Sequence, residues 1–276
     1  MAGEFPGDNP KAHPIANTVV GMLALFAGTH WGGREAPAAP VVLSDVPAYR
    51  WYHGCGPTAA AAVLGYWDLQ GYANLFDASG EDLYWTDNVK DQISSPEHNA
   101  KYDQEDDANL PVPPMTSIAD WFGTSVDPLD YGWSYLSYAD DAFIGYADYR
   151  GYAFDSWYES LGSGLFTWEE LMAEIDAGRP MMFLVDADGN GGTDHFVPVL
   201  GYDDRGDEGL WYGVYTVSIF GELENVAWKQ FRPMSADYKW GVGHGIFVHP
   251  VPEPAGLVLI ALGMIVFRRP RRGAGF

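Results

Sequence analysis

Gly54-Cys55-Gly56-Pro57-Thr58-Ala59-Ala60-Ala61-Ala62-Val63-Leu64-Gly65-Tyr66-Trp67-Asp68-Leu69 is the stretch on which the fold turns. Pro57 suits a first helical turn, where a missing N–H costs nothing. The alanines supply helix propensity and permit close packing. Val63, Leu64 and Trp67 continue an apolar face, so residues 56–69 are expected to form a helix. Cys55 then sits at its N-terminus, where unpaired N–H groups and the helix dipole favour a thiolate. The glycines on either side keep side chains away from the sulfur. It is the single cysteine of the chain, so no internal disulfide can form. This local context leaves two readings open: a nucleophile, or a small buried residue filling a gap.

Downstream, Thr167 and Glu170 make a capping-box pattern. Trp168, Leu171, Met172 and Ile175 follow helical spacing, and Gly178 ends the run. Strands are expected over residues 181–185, 195–202, 210–220, 226–231 and 245–249, with turns at Asp203-Asp204-Arg205-Gly206 and around Gly209. Helices come first and an antiparallel sheet follows, which is an α+β arrangement rather than alternating βαβ. Residues 74–165 are expected to be irregular loops with short helices, one starting near Thr116. Their many aromatics either line a substrate groove or form the core of that region.

A thiol nucleophile needs a base. Seven histidines are available. His13 and His30 lie near the N-terminus, His98 in a charged loop, and His244 and His249 near the end of the domain. His53 is two residues from Cys55, an awkward separation for a base. His195 is the best candidate, because it opens the strand Asp194-His195-Phe196-Val197-Pro198-Val199-Leu200-Gly201-Tyr202-Asp203. A capping or core role for it also fits.

Together, Gly54-Cys55-Gly56-Pro57-Thr58-Ala59-Ala60 with Gly65-Tyr66-Trp67-Asp68, and the His195 strand, resemble the two signature segments of the papain-like bacteriocin-processing cysteine peptidases and their domain relatives. The resemblance implies a papain-like α+β domain, with the nucleophile helix packed on an antiparallel sheet. It implies Cys55 as nucleophile, His195 as general base and acid, and peptide hydrolysis through a thioester. Two departures stand out. The family's orienting Asp or Asn falls near Thr216, which has no carboxylate. Its upstream Gln, an oxyanion donor, is not evident, and Trp51, Tyr52 or His53 are the substitutes at hand. The alternative is a catalytically impaired domain that binds at a surface or in an extracellular matrix.

Asp186-Ala187-Asp188-Gly189-Asn190-Gly191 matches the start of a calcium-binding loop, with Asp194 at the ninth position and Val197 where a bidentate Glu would stand. Asp186, Asp188, Asn190 and Asp194 are the candidate calcium ligands; a tight acidic hairpin explains the same residues through turn chemistry. No cofactor is required by the proposed reaction.

Both ends read as processing signals. Lys11, the apolar residues 15–26 and Ala36-Pro37-Ala38-Ala39-Pro40 resemble a secretory signal, which places an export segment and linker at 1–40. The domain is expected over 41–250. The tail 251–276 begins Val251-Pro252-Glu253-Pro254, continues through an apolar run, and closes with Arg268-Arg269-Pro270-Arg271-Arg272. The run is shorter than the ~20 residues of a full span. This order resembles the PEP-CTERM sorting signal, which implies exosortase-type machinery, membrane contact before processing, and a cell-envelope or extracellular destination. A net charge of −23 argues against nucleic acid as a partner.

Overall fold

A computed structural model of the chain describes residues 39–77, 86–101, 114–127, 129–217 and 225–252. The expected export segment, up to residue 38, and the expected sorting tail beyond residue 252 lie outside the described residues. Among those described, no helix is long and apolar enough to cross a membrane.

The strands are β1 (Val41–Val42), β2 (Phe154–Ser160), β3 (Met181–Asp186), β4 (His195–Asp204), β5 (Leu210–Val214), β6 (Ala227–Gln230) and β7 (Gly241–Pro250). They form one antiparallel sheet in the order β2-β7-β3-β4-β5-β6, with β1 pairing β4. The α+β reading is therefore observed. The helices are α1 (Cys55–Leu69), α2 (Asp87–Ile93), α3 (Pro96–Asn99), α4 (Ile118–Trp121), α5 (Ala139–Tyr149) and α6 (Trp168–Asp176).

Two apolar cores lie on the two sides of the sheet. One joins α1, α4 and α5 to Met182, Leu184, Phe196 and Ile246. The other joins α6 to Phe183, Val185, Val197 and Tyr212. Residues adjacent on β3 divide between these cores because successive side chains point to opposite faces. Both faces are covered, so β3 is buried along its whole length. Helix α1 is buried from Gly56 to Trp67. An all-round apolar helix of this kind needs neighbours on every side, and the sheet and α4 supply them.

Some element bounds differ from expectation. Strand β5 stops at Val214, because the chain turns away and Val217 takes a positive φ of 49°. Residues 218–220 lie outside the described residues. Strand β2 and helix α5 were not expected: β2 is a half-exposed edge strand carrying Asp155, Ser156 and Glu159, which dilute the apolar alternation. The helix expected near Thr116 begins at Ile118 and is a single turn. Ser117 caps it through Asp120, whose Oδ2 accepts from the Ser117 N–H and Oγ–H at 2.9 and 2.7 Å.

Candidate active site

The approach to α1 is tied down before the thiol is reached. Thr58 Oγ1 donates to Gly54 O at 2.7 Å and accepts from the Tyr52 N–H at 3.0 Å. That hydroxyl closes the loop onto the first helical turn, and it also engages the Tyr52 amide. Gly54 has φ 141°, and a Cβ there would meet Thr124 Cγ2 at 2.9 Å and Gly132 O at 3.0 Å. Glycine is thus required twice over, by backbone conformation and by space. Gly56 is required by space alone, since a Cβ would meet Ser134 Oγ at 2.7 Å.

Cys55 is half-buried as the first residue of α1. The Phe196 N–H donates to its Sγ at 3.4 Å. His195, one residue earlier on β4, is near enough to the same sulfur to act on its ionisation. Nε2 of His195 lies 2.8 Å from Thr216 O. A carbonyl can only accept, so Nε2 carries a proton, and Nδ1 is left with a lone pair for the thiol proton. Where the family places a carboxylate or amide side chain, the main-chain carbonyl of Thr216 accepts from the imidazole.

Burial pushes the Cys55 thiol up. His195, by hydrogen bond and charge, and the Phe196 and Gly56 N–H groups outweigh this and hold it below its ordinary range. Burial pushes His195 down, but the Cys55 hydrogen bond and charge, the Thr216 carbonyl and Asp194 carry it above the ordinary imidazole value. Opposite shifts on touching partners favour a thiolate–imidazolium pair.

Two cavities flank the pair. One of about 510 Å³ is lined by His195, Thr216, Trp51 and Trp240. The other, of about 240 Å³, is lined by Cys55, Trp133, Tyr135 and His244. Asp194 borders both. Of the aromatics between residues 74 and 165, Trp133 and Tyr135 therefore face the site, whereas Phe122, Phe143 and Tyr146 are core. Trp240 stands edge-on to His195 with ring centroids 6.0 Å apart. Sequence reading did not single out Trp240; its signal is an aromatic immediately before a strand that begins with glycine.

The suggested oxyanion substitutes fall in different places. Trp51 lines the larger cavity. His53 packs against Tyr52 and Tyr131, and its buried Nδ1 makes no hydrogen bond among the described residues. His98 is not in a loop at the surface. It is 4% exposed on α3, with Nδ1 2.8 Å from Asp120 Oδ1 and Nε2 2.9 Å from Thr124 O. His249 binds Glu174 at 2.7 Å on the far side of the sheet.

The acidic turn brings carboxylate oxygens of Asp186, Asp188 and Asp194 within 4.8 Å of one another. They also hold the turn. Asp186 accepts from the N–H groups of Gly189, Asn190 and Gly191, Asp188 from that of Asn190, and Asp194 from that of Ala187. Asn190 Oδ1 accepts from the Gly192 N–H. Val197, at the twelfth loop position, is a fully buried strand residue.

A helix N-terminal cysteine facing a strand-borne histidine across a helix–sheet interface defines the class: a papain-like cysteine peptidase domain. The sequence profile of the Peptidase_C39 like family matches residues 43–235, and the chain belongs to that family. No curated protein matches the chain.

Proposed function

We propose that this domain hydrolyses peptide bonds, with Cys55 as nucleophile and His195 as general base and acid. The observation that carries the reading is the placement of Cys55 Sγ on the Phe196 N–H, one residue along β4 from His195, whose Nε2 is fixed on Thr216 O. In the proposed reaction the Cys55 thiolate attacks the scissile carbonyl. His195 Nδ1 gives its proton to the leaving amine, which departs and leaves a thioester. Water then attacks the thioester as His195 takes the water's proton, and Cys55 is released. The Phe196 N–H lowers the cost of the thiolate, and the main-chain N–H groups at the α1 terminus are the available donors to the developing oxyanion.

Peptide or protein is the substrate class. The acidic chain and its end segments extend the proposal to an exported protein, sorted at the cell envelope by exosortase-type machinery through the tail. A calcium ion held by Asp186, Asp188, Asn190 and Asp194 would brace the loop that leads into His195. Intact mass measurement of the protein from its native envelope tests the sorting proposal, and retention of the arginine tail would defeat it.

Activity is tested by incubating the purified protein with a mixture of unstructured peptides and sequencing the products by mass spectrometry, with Cys55→Ala alongside. Cleavage by the wild type alone is the expected result. Peptide binding by both proteins without any cleavage would defeat the hydrolase reading in favour of a binding domain.

A further inference from the structure

The cavity that His195 lines and Cys55 does not belongs to one side of the substrate. This step rests on the peptidase reading above. In acyl transfer the leaving amine collects its proton from the base, so this cavity receives the departing side.

Backbone strain marks its apolar walls. Val217 has φ 49° and Trp240 has φ 66°. Among the described residues, the other non-glycine positions with positive φ are Asp45, His53 and Asn74, residue types that tolerate this region. A β-branched valine and a bulky tryptophan tolerate it poorly. Both of these outliers line the same cavity. Strain of this kind persists only where the surroundings over-determine it, and it gathers at ligand clamps.

Trp240 is over-determined in that sense. Its N–H donates to Asp186 O at 2.6 Å, and its carbonyl accepts from the Tyr212 hydroxyl at 3.0 Å. The Lys229 ammonium lies 4.4 Å from the indole centroid. The ring is half-buried and stands edge-on to His195. Trp51, also half-buried, supplies a second indole to the lining, and Ala187 and Val217 complete the apolar part.

Three polar residues complete the lining. His195 Nε2 and Thr216 O are spent on each other at 2.8 Å. Asp194 is half-buried, with Oδ1 accepting from the Ala187 N–H at 2.7 Å. Its carboxylate and the Lys229 ammonium bring opposite charges to the cavity. A charged side chain entering there is attracted by one and repelled by the other. A neutral aromatic ring meets neither penalty, and it can stack on or stand edge-on to the two indoles. The cavity volume of about 510 Å³ gives such a ring ample room.

We infer that this cavity selects a large uncharged aromatic side chain on the departing side of the scissile bond, and that Trp240 sets the preference.

The test reads the departing side alone. p-Nitrophenyl acetate acylates Cys55: the thiolate attacks the ester carbonyl, the C–O bond breaks and nitrophenolate leaves. Amino-acid amides then compete with water for the thioester. The amine nitrogen bonds to the carbonyl carbon, the C–S bond breaks, and His195 takes the amine's proton. An attacking amine occupies the place that a departing amine vacates. The N-acetyl products are counted by mass spectrometry in excess chelator, with Cys55→Ala as the blank. The amides of Phe, Tyr and Trp are expected to react about tenfold faster than that of Gly, equivalent to about 1.4 kcal/mol, with Glu and Arg below the aromatic amides. Trp240→Gly relieves backbone strain while removing the wall. It is expected to bring the Phe and Gly amides within about twofold, whereas Trp240→Phe retains an aromatic preference. Equal rates for all amides, or an Arg or Glu amide faster than Phe, overturn the inference and leave the peptidase reading standing. An aromatic preference that survives in Trp240→Gly also overturns it. If Cys55 takes up no acetyl group by intact mass, this inference and the peptidase reading fall together.

Discussion

Replacing His195 with alanine changes the charge state of Cys55 without touching α1. The interactions that lower the thiol pKa come first from His195, with smaller help from the Phe196 and Gly56 N–H groups, and all of them act against burial. With the imidazole gone, burial meets only the two N–H groups. The thiol should then titrate at or above its ordinary range, so its thiolate fraction falls about tenfold for each pH unit below that range. The sign for the wild type follows from the paired shifts. The lowered thiol moves thiolate formation below its usual pH, and the raised imidazole moves loss of the proton above the usual ~6.5. The ion pair occupies the window between. Size of effect at one pH is a poor readout, because a more basic thiolate is also a better nucleophile. Shape is the better one. Iodoacetamide alkylation, followed by intact mass from pH 5 to 9, has no background from other thiols because Cys55 is the single cysteine. The wild type is expected to hold a plateau through neutral pH. His195→Ala is expected to lose about tenfold per pH unit between pH 8 and 6. Superimposable profiles would refute the assignment of His195 as the group that ionises Cys55.

Three further outcomes follow from the same geometry. Asp120→Asn removes the anion facing His98, both of whose nitrogens point at acceptors, and is expected to cost about 3–5 kcal/mol in urea unfolding at pH 7. The Asp120 carboxyl is raised by burial but held low overall by His98 and Ser117, so its contribution is present above the unfolded value of ~3.9 and lost as pH falls through the folded one; the variant's stability should therefore fall less steeply in acid, and parallel acid limbs would contradict this. Gly54→Ala forces a side chain into φ 141° against Thr124 and Gly132, with an expected loss of about 1–3 kcal/mol, and an unchanged urea midpoint would rule out strain at that position. Calcium added to chelator-treated protein is expected to raise the melting temperature through the Asp186–Asp194 loop, and identical melting curves with calcium and with excess chelator would leave the turn's own hydrogen bonds as its whole explanation.

Local chemistry was the part of the fold that sequence made readable. Helix α1 announces itself through Pro57 and the alanine run, and α6 through Thr167 and Glu170, whose reciprocal bonds form as expected. Strand β4 was legible as an apolar run opened by His195. Long-range partners were not legible. His98 and Asp120 are 22 residues apart and sit among charged neighbours, so nothing local marks them as a buried pair. Strand β5 seemed longer because Tyr215, Thr216 and Val217 keep a strand-like composition where the backbone has already turned. At the site, Cys55 and His195 could be named from their segments, whereas Phe196, Thr216 and Gly56 contribute through main-chain atoms that no residue type encodes.

The Thr216 carbonyl has a consequence for how variation at this position should be weighed. An acceptor supplied by the peptide unit is present whichever amino acid occupies the position, so selection there acts on the path of the chain and not on the identity of residue 216. An inventory of catalytic side chains would count two members and score this protein as degenerate. Mutational scanning should find position 216 permissive, while substitutions that redirect the backbone nearby, at the positive-φ Val217 for example, should be the ones that silence the thiol.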